Sequence, residues 1–283
     1  MKKIFCLVLC AMLLLAGCGT AEAPPPAAPP APEASVESAP EVAADESWQY
    51  VLDKGELIIG LDDTFAPMGF RDEAGELVGF DIDLATAVCE EMGVKATFQP
   101  IDWDAKEMEL STKKIDCIWN GMSITPARQE SMSLTRGYLN NRIIIMTAPG
   151  VTVTSKDDLK ELAVGTQAGS AAYEVLEADP IFAEITSFSE YPTYDEVIMD
   201  MDAGRIQVMI VDEVLGMYKN SKRSNTFGVS EVDFGDDFYA VGLRKEDTEL
   251  TTKLQAAIDA VIANGKAAEI SDKWFGSDIV IKP

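Results

Sequence analysis

GFDIDLA at residues 79–85 and WNGMSITPAR at residues 119–128 are the two stretches that decide the fold of this chain. In each, a short apolar strand pattern runs into the start signals of a helix. Asp81 is placed to cap the first of these helices, and Thr125 with Pro126 forms the N-cap and first position of the second. Strands that alternate with helices in this way indicate parallel α/β sheets.

The same alternation extends on both sides of these stretches. Strand patterns occupy residues 57–60, 78–80, 95–100, 115–119, 141–146, 163–166, 207–211 and 238–243, and helix patterns occupy 81–92, 106–112, 170–177, 194–203, 250–264 and 267–274. Ligands of open α/β sheets bind beyond the carboxyl ends of the strands. The residues predicted at such ends are Asp62, Asn120, Gly121, Ser123, Gln167 and Asp212.

Arg128 is the strongest single candidate for a ligand contact. It falls in the first turn of the helix that Thr125 caps, where a cation opposes the helix dipole. A bidentate clamp on a carboxylate explains this placement, and a surface arginine paired with Glu130 or another acid is the alternative. Ser170, at the start of a second helix, offers free backbone N–H groups for the same anion.

The N-terminus carries the signals of an exported lipoprotein. Lys2 and Lys3 precede an apolar run, so residues 1–17 are predicted to be a signal peptide. The sequence LAGC at residues 15–18 resembles a bacterial lipobox, which implies lipidation of Cys18. The following stretch to residue 47 contains seven of the chain's 14 prolines and no Lys or Arg, and is predicted to be a disordered tether.

Composition excludes several classes of function. A net charge of −25 argues against nucleic-acid partners. The chain has no histidine, the commonest general base and metal ligand, so neither catalysis nor a metal site is predicted, and ligand affinity is expected to change little between pH 6 and 8. Cys89 and Cys117 are interpreted as buried thiols, with a disulfide as the alternative.

Six short motifs occur in an ordered series: FAP at residues 65–67, GFDIDLA at 79–85, SITPAR at 123–128, QAGS at 167–170, DE at 212–213 and VGLR at 241–244. In order and spacing the chain resembles family 3 extracellular solute-binding proteins of polar amino acid ABC importers. The resemblance covers about residues 56–276. It implies an α/β, two-lobed periplasmic-binding-protein-like fold of type II, with the ligand in the interlobe cleft.

The resemblance also implies domain boundaries. Residues 48–142 and 235–283 would form lobe 1, and residues 143–234 would form lobe 2. Two crossing strands, with hinges near residues 140–144 and 232–239, would join the lobes.

The resemblance implies a role for each site residue. Arg128 would grip the ligand α-carboxylate, assisted by Ser123, the helix start at Ser170 and the backbone N–H of Ala171. Asp212 and the Gly121 carbonyl would receive the α-ammonium. Phe65 and Trp103 would sandwich the side chain, and Asp62, Asn120 and Gln167 would line the specificity pocket. Two alternatives stay open: Trp103 as plain core and Asp62 as a cap of the next turn.

Asp62 favours a ligand side chain that donates hydrogen bonds, which means arginine, lysine, ornithine or glutamine. Cystine also suits the neutral Asn120 and Gln167. Lys106, one helical turn past Trp103, is a candidate to neutralise Asp62. Acidic amino acids are not expected unless Lys106 enters the pocket.

The partners expected from this interpretation are an ABC permease with a cytoplasmic ATPase and, through the lipid anchor, the cell membrane. A monomer without a cofactor is predicted. It would lie on the outer face of a Gram-positive membrane, or in the periplasm of a Gram-negative cell. The alternative functions are an amino acid receptor or adhesin, and a dehydratase built on the same fold.

Overall fold

The computed structural model describes residues 45–283 of the 283-residue chain. The predicted signal peptide, Cys18 and most of the predicted tether lie outside the described residues. The end of that tether was predicted too late, because Ser47 already begins a helix. The Asp45 carboxylate accepts hydrogen bonds from the N–H groups of Ser47, at 2.9 Å, and Glu249, at 2.6 Å. These bonds attach the segment to the C-terminal helices.

Helix formation follows the sequence pattern closely. The helices of the described residues are α1 (Ser47–Lys54), α2 (Phe80–Met92), α3 (Lys106–Ser111), α4 (Pro126–Ser131), α5 (Ala171–Ala178), α6 (Tyr194–Asp202), α7 (Glu213–Lys222), α8 (Thr248–Ala263) and α9 (Lys266–Phe275). All the helix patterns of the sequence are confirmed. Helices α1 and α7 are additional.

The strands include several short ones that the apolar pattern does not predict. They are β1 (Glu56–Leu61), β2 (Thr64–Phe65), β3 (Gly69–Arg71), β4 (Leu77–Val78), β5 (Lys95–Pro100), β6 (Cys117–Ser123), β7 (Met132–Leu134), β8 (Leu139–Thr147), β9 (Ala163–Gln167), β10 (Ser187–Tyr191), β11 (Val208–Asp212) and β12 (Gly228–Arg244). Strands β2, β3 and β4 form a small antiparallel sheet of their own. The predicted strand at 78–80 ends early, because Phe80 starts α2.

One mixed sheet dominates the described residues, in the order β10-β9-β11-β8-β12-β6-β1-β5, with β7 paired to β12. Strand β1 pairs in parallel with β5 and β6, and β9 pairs in parallel with β10 and β11. Strands β8 and β12 run antiparallel to each other and to their neighbours. The parallel strands indicated by the sequence therefore form two groups, and the antiparallel strands β8 and β12 link these groups at the centre.

These two groups are called the first half and the second half below. The first half comprises β5, β1 and β6 with the helical segments that follow them, and the second half comprises β10, β9 and β11 with theirs. Every residue of β6 and of β11 is buried, as in strands covered on both faces. Polar residues at the ends of these strands can therefore meet in a dry environment.

Asp81 does not cap α2, contrary to the prediction from sequence. The N-cap is Gly79, whose φ of 150° and close approach to Met68 exclude a side chain, since a Cβ would lie 2.0 Å from the Met68 carbonyl oxygen. Asp81 is instead buried, and its carboxylate accepts hydrogen bonds from the Gly121 N–H at 2.7 Å and the Tyr138 hydroxyl at 2.8 Å. Burial raises the pKa of Asp81 to about 7.

Cys89 and Cys117 are both free and buried, which confirms the interpretation as thiols. Within residues 45–283, no helix combines the length and apolar character needed to cross a membrane.

Candidate functional site

The residues predicted to bind ligand are all buried, although they come from both halves. Asp62, Phe65, Trp103, Asn120, Gly121, Ser123 and Arg128 belong to the first half, and Gln167, Ser170, Ala171 and Asp212 belong to the second. A hydrogen bond from Gln167 to Asp62 joins the two sets, and Arg128 donates to the carbonyl of Gly169, the residue before Ser170. The structure therefore brings the predicted residues to one place, between the carboxyl ends of two groups of parallel strands.

The Arg128 guanidinium lies at the centre of this place. Thr125 caps α4, and its hydroxyl accepts a hydrogen bond from the Arg128 backbone N–H at 3.2 Å. This bond fixes the backbone position from which the Arg128 side chain extends. The guanidinium is 1% exposed and donates from Nη1 to the Ser123 carbonyl at 3.0 Å. From Nη2 it donates to the Gly169 carbonyl at 3.2 Å and pairs with Glu174 at 2.9 Å. The alternative of a surface arginine is wrong, because Arg128 is buried, but its pairing with an acid other than Glu130 occurs, since that acid is Glu174.

Lys106 lies beside Arg128. It is buried, its Nζ donates to the same Gly169 carbonyl at 2.8 Å, and it lies 5.3 Å from the centre of the Trp103 ring. Burial, and then the charge of Arg128, lower the pKa of Lys106 to about 8. Among residues 45–283, no ion pair joins Lys106 to Asp62. Lys106 and Arg128 together form a cationic pole at Gly169.

Asp62 is held from three sides. Its Oδ1 accepts the N–H of Thr64 at 2.9 Å and the Thr64 hydroxyl at 2.7 Å, so the predicted capping of the next turn occurs. Its Oδ2 accepts from Gln167 Nε2 at 2.7 Å, across the two halves. Asn120 donates to the Asp62 carbonyl at 2.6 Å and thereby fixes the backbone. Burial raises the pKa of the Asp62 carboxyl.

Asp212 shares its surroundings with a second carboxylate that the sequence did not single out. Its Oδ1 accepts from Asn141 Nδ2 at 2.9 Å and from the Tyr239 hydroxyl at 3.0 Å. Asn141 also donates to Asp237 at 2.9 Å, and the Ser123 hydroxyl donates to the same carboxylate. Burial, and then the charge of Asp237, raise the pKa of Asp212 to about 7. These carboxylates form an acidic pole.

The start of α5 faces the site from the second half. Ser170 is its N-cap and accepts the Tyr173 N–H at 3.1 Å, while Ala171 is the first helical residue. The N–H groups of a first turn have no partner inside the helix. This geometry leaves the Ala171 N–H available to an anion, as the resemblance implies.

The two aromatic residues that were predicted to sandwich the ligand side chain, Phe65 and Trp103, have different surroundings. Phe65 packs against Tyr194 with ring centres 6.1 Å apart, and Trp103 belongs to a separate apolar cluster with Ile118 and Met122. The Tyr194 hydroxyl is buried without a hydrogen-bond partner, as are Arg128 Nε and Asn120 Oδ1. Unpartnered buried polar atoms are costly, which favours a polar ligand among them.

Sequence reasoning missed several residues of this site. They are Glu174, Asn141, Tyr194, Asp237 and Tyr239. The acidic pair at residues 236–237, directly before the strand pattern at 238–243, was a weak signal for Asp237. The others became visible only when the two halves were brought together.

Comparison with known proteins agrees with this geometry. A model of bacterial extracellular solute-binding proteins, family 3, matches residues 57–277. The chain belongs to this family. Its members' fold is two-lobed, in agreement with the architecture predicted from sequence.

Three similar proteins illustrate the range of the family. The L-arginine-binding protein of Pseudomonas aeruginosa is 32% identical over 87% of this chain and 94% of its own length. The L-cystine-binding protein TcyJ of Escherichia coli is 28% identical over 81% of this chain and 86% of its own. A substrate-binding protein of an ABC uptake transporter from Streptococcus pneumoniae, solved with bound histidine, is 37% identical, with a TM-score of 0.81 over 85% of this chain and 100% of that chain.

Gly121 is predicted to be irreplaceable at the site. Its φ is +55°, and a Cβ would lie 2.7 Å from Phe65 Cε1. Gly75 is a matched control, since its φ is +82° and a Cβ there would meet nothing within 4 Å. Gly75→Ala should cost about 1 kcal/mol of unfolding free energy, and Gly121→Ala about 1–3 kcal/mol more because Phe65 must move. Urea unfolding measures both; equal costs would contradict the contact with Phe65.

Proposed function

We propose that this family member captures a free polar amino acid between its two halves and delivers it to the permease of an ABC importer. The observation that carries the proposal is the separation of buried charge, with a cationic pole at Gly169 and an acidic pole at Asp212. An amino acid zwitterion has the matching charges, because its negative α-carboxylate and its positive α-ammonium are both bonded to the α-carbon. Buried charges are tolerated when each is paired, so a zwitterion suits this site better than an ion of one sign.

Each charged group of the ligand is then assigned to specific residues. The α-carboxylate pairs with Arg128 and the Ala171 N–H, and the α-ammonium pairs with Asp212. Ser123 contributes less directly than the resemblance implies, because its hydroxyl donates to Asp237. The site carboxylates are already engaged by Asn141, Tyr239, Thr64 and Gln167. This engagement supports binding rather than catalysis.

The ligand side chain points to Asp62 in this arrangement. Asp62 accepts hydrogen bonds only, so a donating end is favoured: the guanidinium of arginine, the ammonium of lysine or ornithine, or the amide of glutamine. Lys106 lies at the opposite pole and leaves Asp62 unneutralised, which argues against glutamate and aspartate. Cystine fits through the neutral amides of Asn120 and Gln167.

Replacing Arg128 by alanine is expected to abolish binding, because the ligand carboxylate loses the buried guanidinium with which it is proposed to pair. A thermal-shift panel of all amino acids with ornithine and cystine measures this on residues 45–283. A ligand at 100 times its Kd stabilises the wild type by about 2.7 kcal/mol. No shift should remain in Arg128→Ala.

Arg136→Ala is the control for this experiment. Arg136 is an exposed arginine paired with Asp259, so the variant should retain the full ligand-induced shift. A ligand-induced shift that survives in Arg128→Ala would refute the assigned site. A wild type that responds to no amino acid would refute the proposed function.

The raised pKa of Asp212 predicts that the affinity for the amino acid depends on pH. The lack of histidine would instead lead us to expect a flat profile. With its pKa raised to about 7, Asp212 must lose a proton below that pH before it can pair with an ammonium. Affinity should therefore fall as the pH is lowered from 7, by at most about tenfold per pH unit, and level off above 7. Titration calorimetry between pH 5.5 and 8.5, repeated in buffers of different ionisation enthalpy, measures the affinity and the released proton.

Asp212→Asn tests the origin of that dependence. The variant should bind more weakly at every pH and release no proton on binding, because the amide does not titrate. Proton release that persists in Asp212→Asn would assign the effect to another group, such as Lys106 or Asp237.

We further propose that Cys18 carries the lipid that anchors the protein to the outer face of the cell membrane. The protein is proposed to act as a monomer. Two acyl chains bury enough CH₂ groups, at about 0.8 kcal/mol each, for stable anchoring. The full chain expressed in a Gram-positive host should partition into the detergent phase of Triton X-114, and Cys18→Ser should partition into the aqueous phase. Equal partition of the two would refute the anchor.

A further inference from the structure

Glu174 supplies a carboxylate to the residue that is proposed to bind the ligand carboxylate. It lies on α5, one turn after the N-cap Ser170, and its Oε1 is 2.9 Å from Arg128 Nη2. The Glu174 side chain is 28% exposed, whereas that of Arg128 is 1% exposed. An acid within the chain therefore holds the buried guanidinium while keeping a route to water.

The hydrogen bonds of Arg128 show that this contact conflicts with a clamp. A guanidinium offers two forked edges, Nε with Nη2 and Nη1 with Nη2, and both need a hydrogen of Nη2. Nη2 donates a hydrogen bond to the Gly169 carbonyl and also lies 2.9 Å from the Glu174 carboxylate, with which it forms an ion pair. A second carboxylate that approached either edge would therefore meet the Glu174 carboxylate at Nη2.

Glu174 is the contact that can be released. The Gly169 carbonyl is fixed in the turn before α5, and it also accepts a hydrogen bond from Lys106 at 2.8 Å. Glu174 is at the end of a flexible, partly exposed side chain, so it can move into water at little cost. A ligand carboxylate arriving at Arg128 would also be repelled by the charge of Glu174 if that side chain stayed.

We propose that Glu174 is an internal competitor for Arg128, so that an incoming amino acid must displace its carboxylate. This proposal rests on the proposed function in assigning the ligand carboxylate to Arg128. Because Arg128 lies in the first half and Glu174 in the second, the pair also joins the two halves. While Glu174 occupies Arg128, the ligand carboxylate is excluded from the contact, and the population of this form lowers the apparent affinity.

Glu174→Gln removes the charge and keeps the shape of the side chain. Calorimetry with L-arginine, L-glutamine, L-histidine and L-cystine should show that the variant binds the amino acid preferred by the wild type about three- to tenfold more tightly. Glu177→Gln is the matched control, since it removes an acid of the same helix whose partner is the exposed Tyr173 hydroxyl. Its affinity should equal that of the wild type. Unchanged or weaker binding by Glu174→Gln would overturn the competitor.

A second measurement needs no ligand and separates this proposal from the proposed function. Small-angle scattering of the amino-acid-free protein should give a larger radius of gyration for Glu174→Gln than for the wild type and Glu177→Gln, because the halves lose their ion pair. An unchanged radius would overturn the proposal even if amino acids bind. A larger radius in a protein that binds no amino acid would support the ion pair and refute the function.

Discussion

The burial of the Arg128 guanidinium is the constraint on which the rest of the site depends. A cation removed from water must be surrounded by acceptors, since an unpaired buried charge costs several kcal/mol. The first half provides the Ser123 carbonyl, and the second half provides the Gly169 carbonyl and the Glu174 carboxylate. The Nη1 and Nη2 groups therefore find these partners where the two halves meet, which links the charge of Arg128 on α4 to the relative position of two groups of strands.

The same contacts explain why so much polar surface can be buried here. Gln167 reaches Asp62 across the halves, and Lys106 reaches Gly169. Each contact matches a donor from one half with an acceptor from the other. A buried polar network stabilises a fold only when its members are satisfied, so these contacts favour one relative arrangement of the halves over its neighbours.

Much of the fold could be predicted from the sequence because its signals are local. The cap at Thr125, the strand patterns and the helix at residues 171–178 each depend on neighbours in the chain. The antiparallel centre of the sheet could not be predicted in this way, since the direction of β8 and β12 relative to their partners is not encoded in periodicity. Asp81 illustrates the same limit, because a partner 40 residues away, Gly121, overrides its local preference for a cap.

The residues of the candidate site also differ in whether their signals are local in the sequence or depend on distant partners. Asp62, Arg128 and Asp212 were predictable because each follows a strand or starts a helix. Asp237 had only the weak signal of the acidic pair at 236–237, because it contacts the site through Ser123, a partner 114 residues away. Glu174 had none, because its partner Arg128 lies on another helix. Residues whose role depends on long-range pairing are the ones that local patterns leave out.

Residues of β8 and β12, the strands that connect the halves, surround the carboxylates of the acidic pole. Asn141 of β8 and Asp237 of β12 face each other in register, and Asn141 bridges Asp237 to Asp212. Tyr239 of β12 holds the same oxygen of Asp212. A change in the twist of β8 against β12 must therefore move the donors around Asp212 together with the halves. Burial and then the charge of Asp237 raise the pKa of Asp212, and the Tyr239 hydrogen bond lowers it. The connecting strand β12 carries Asp237 and Tyr239, so it links the position of the halves to the ionisation of the group that is proposed to receive the ligand ammonium.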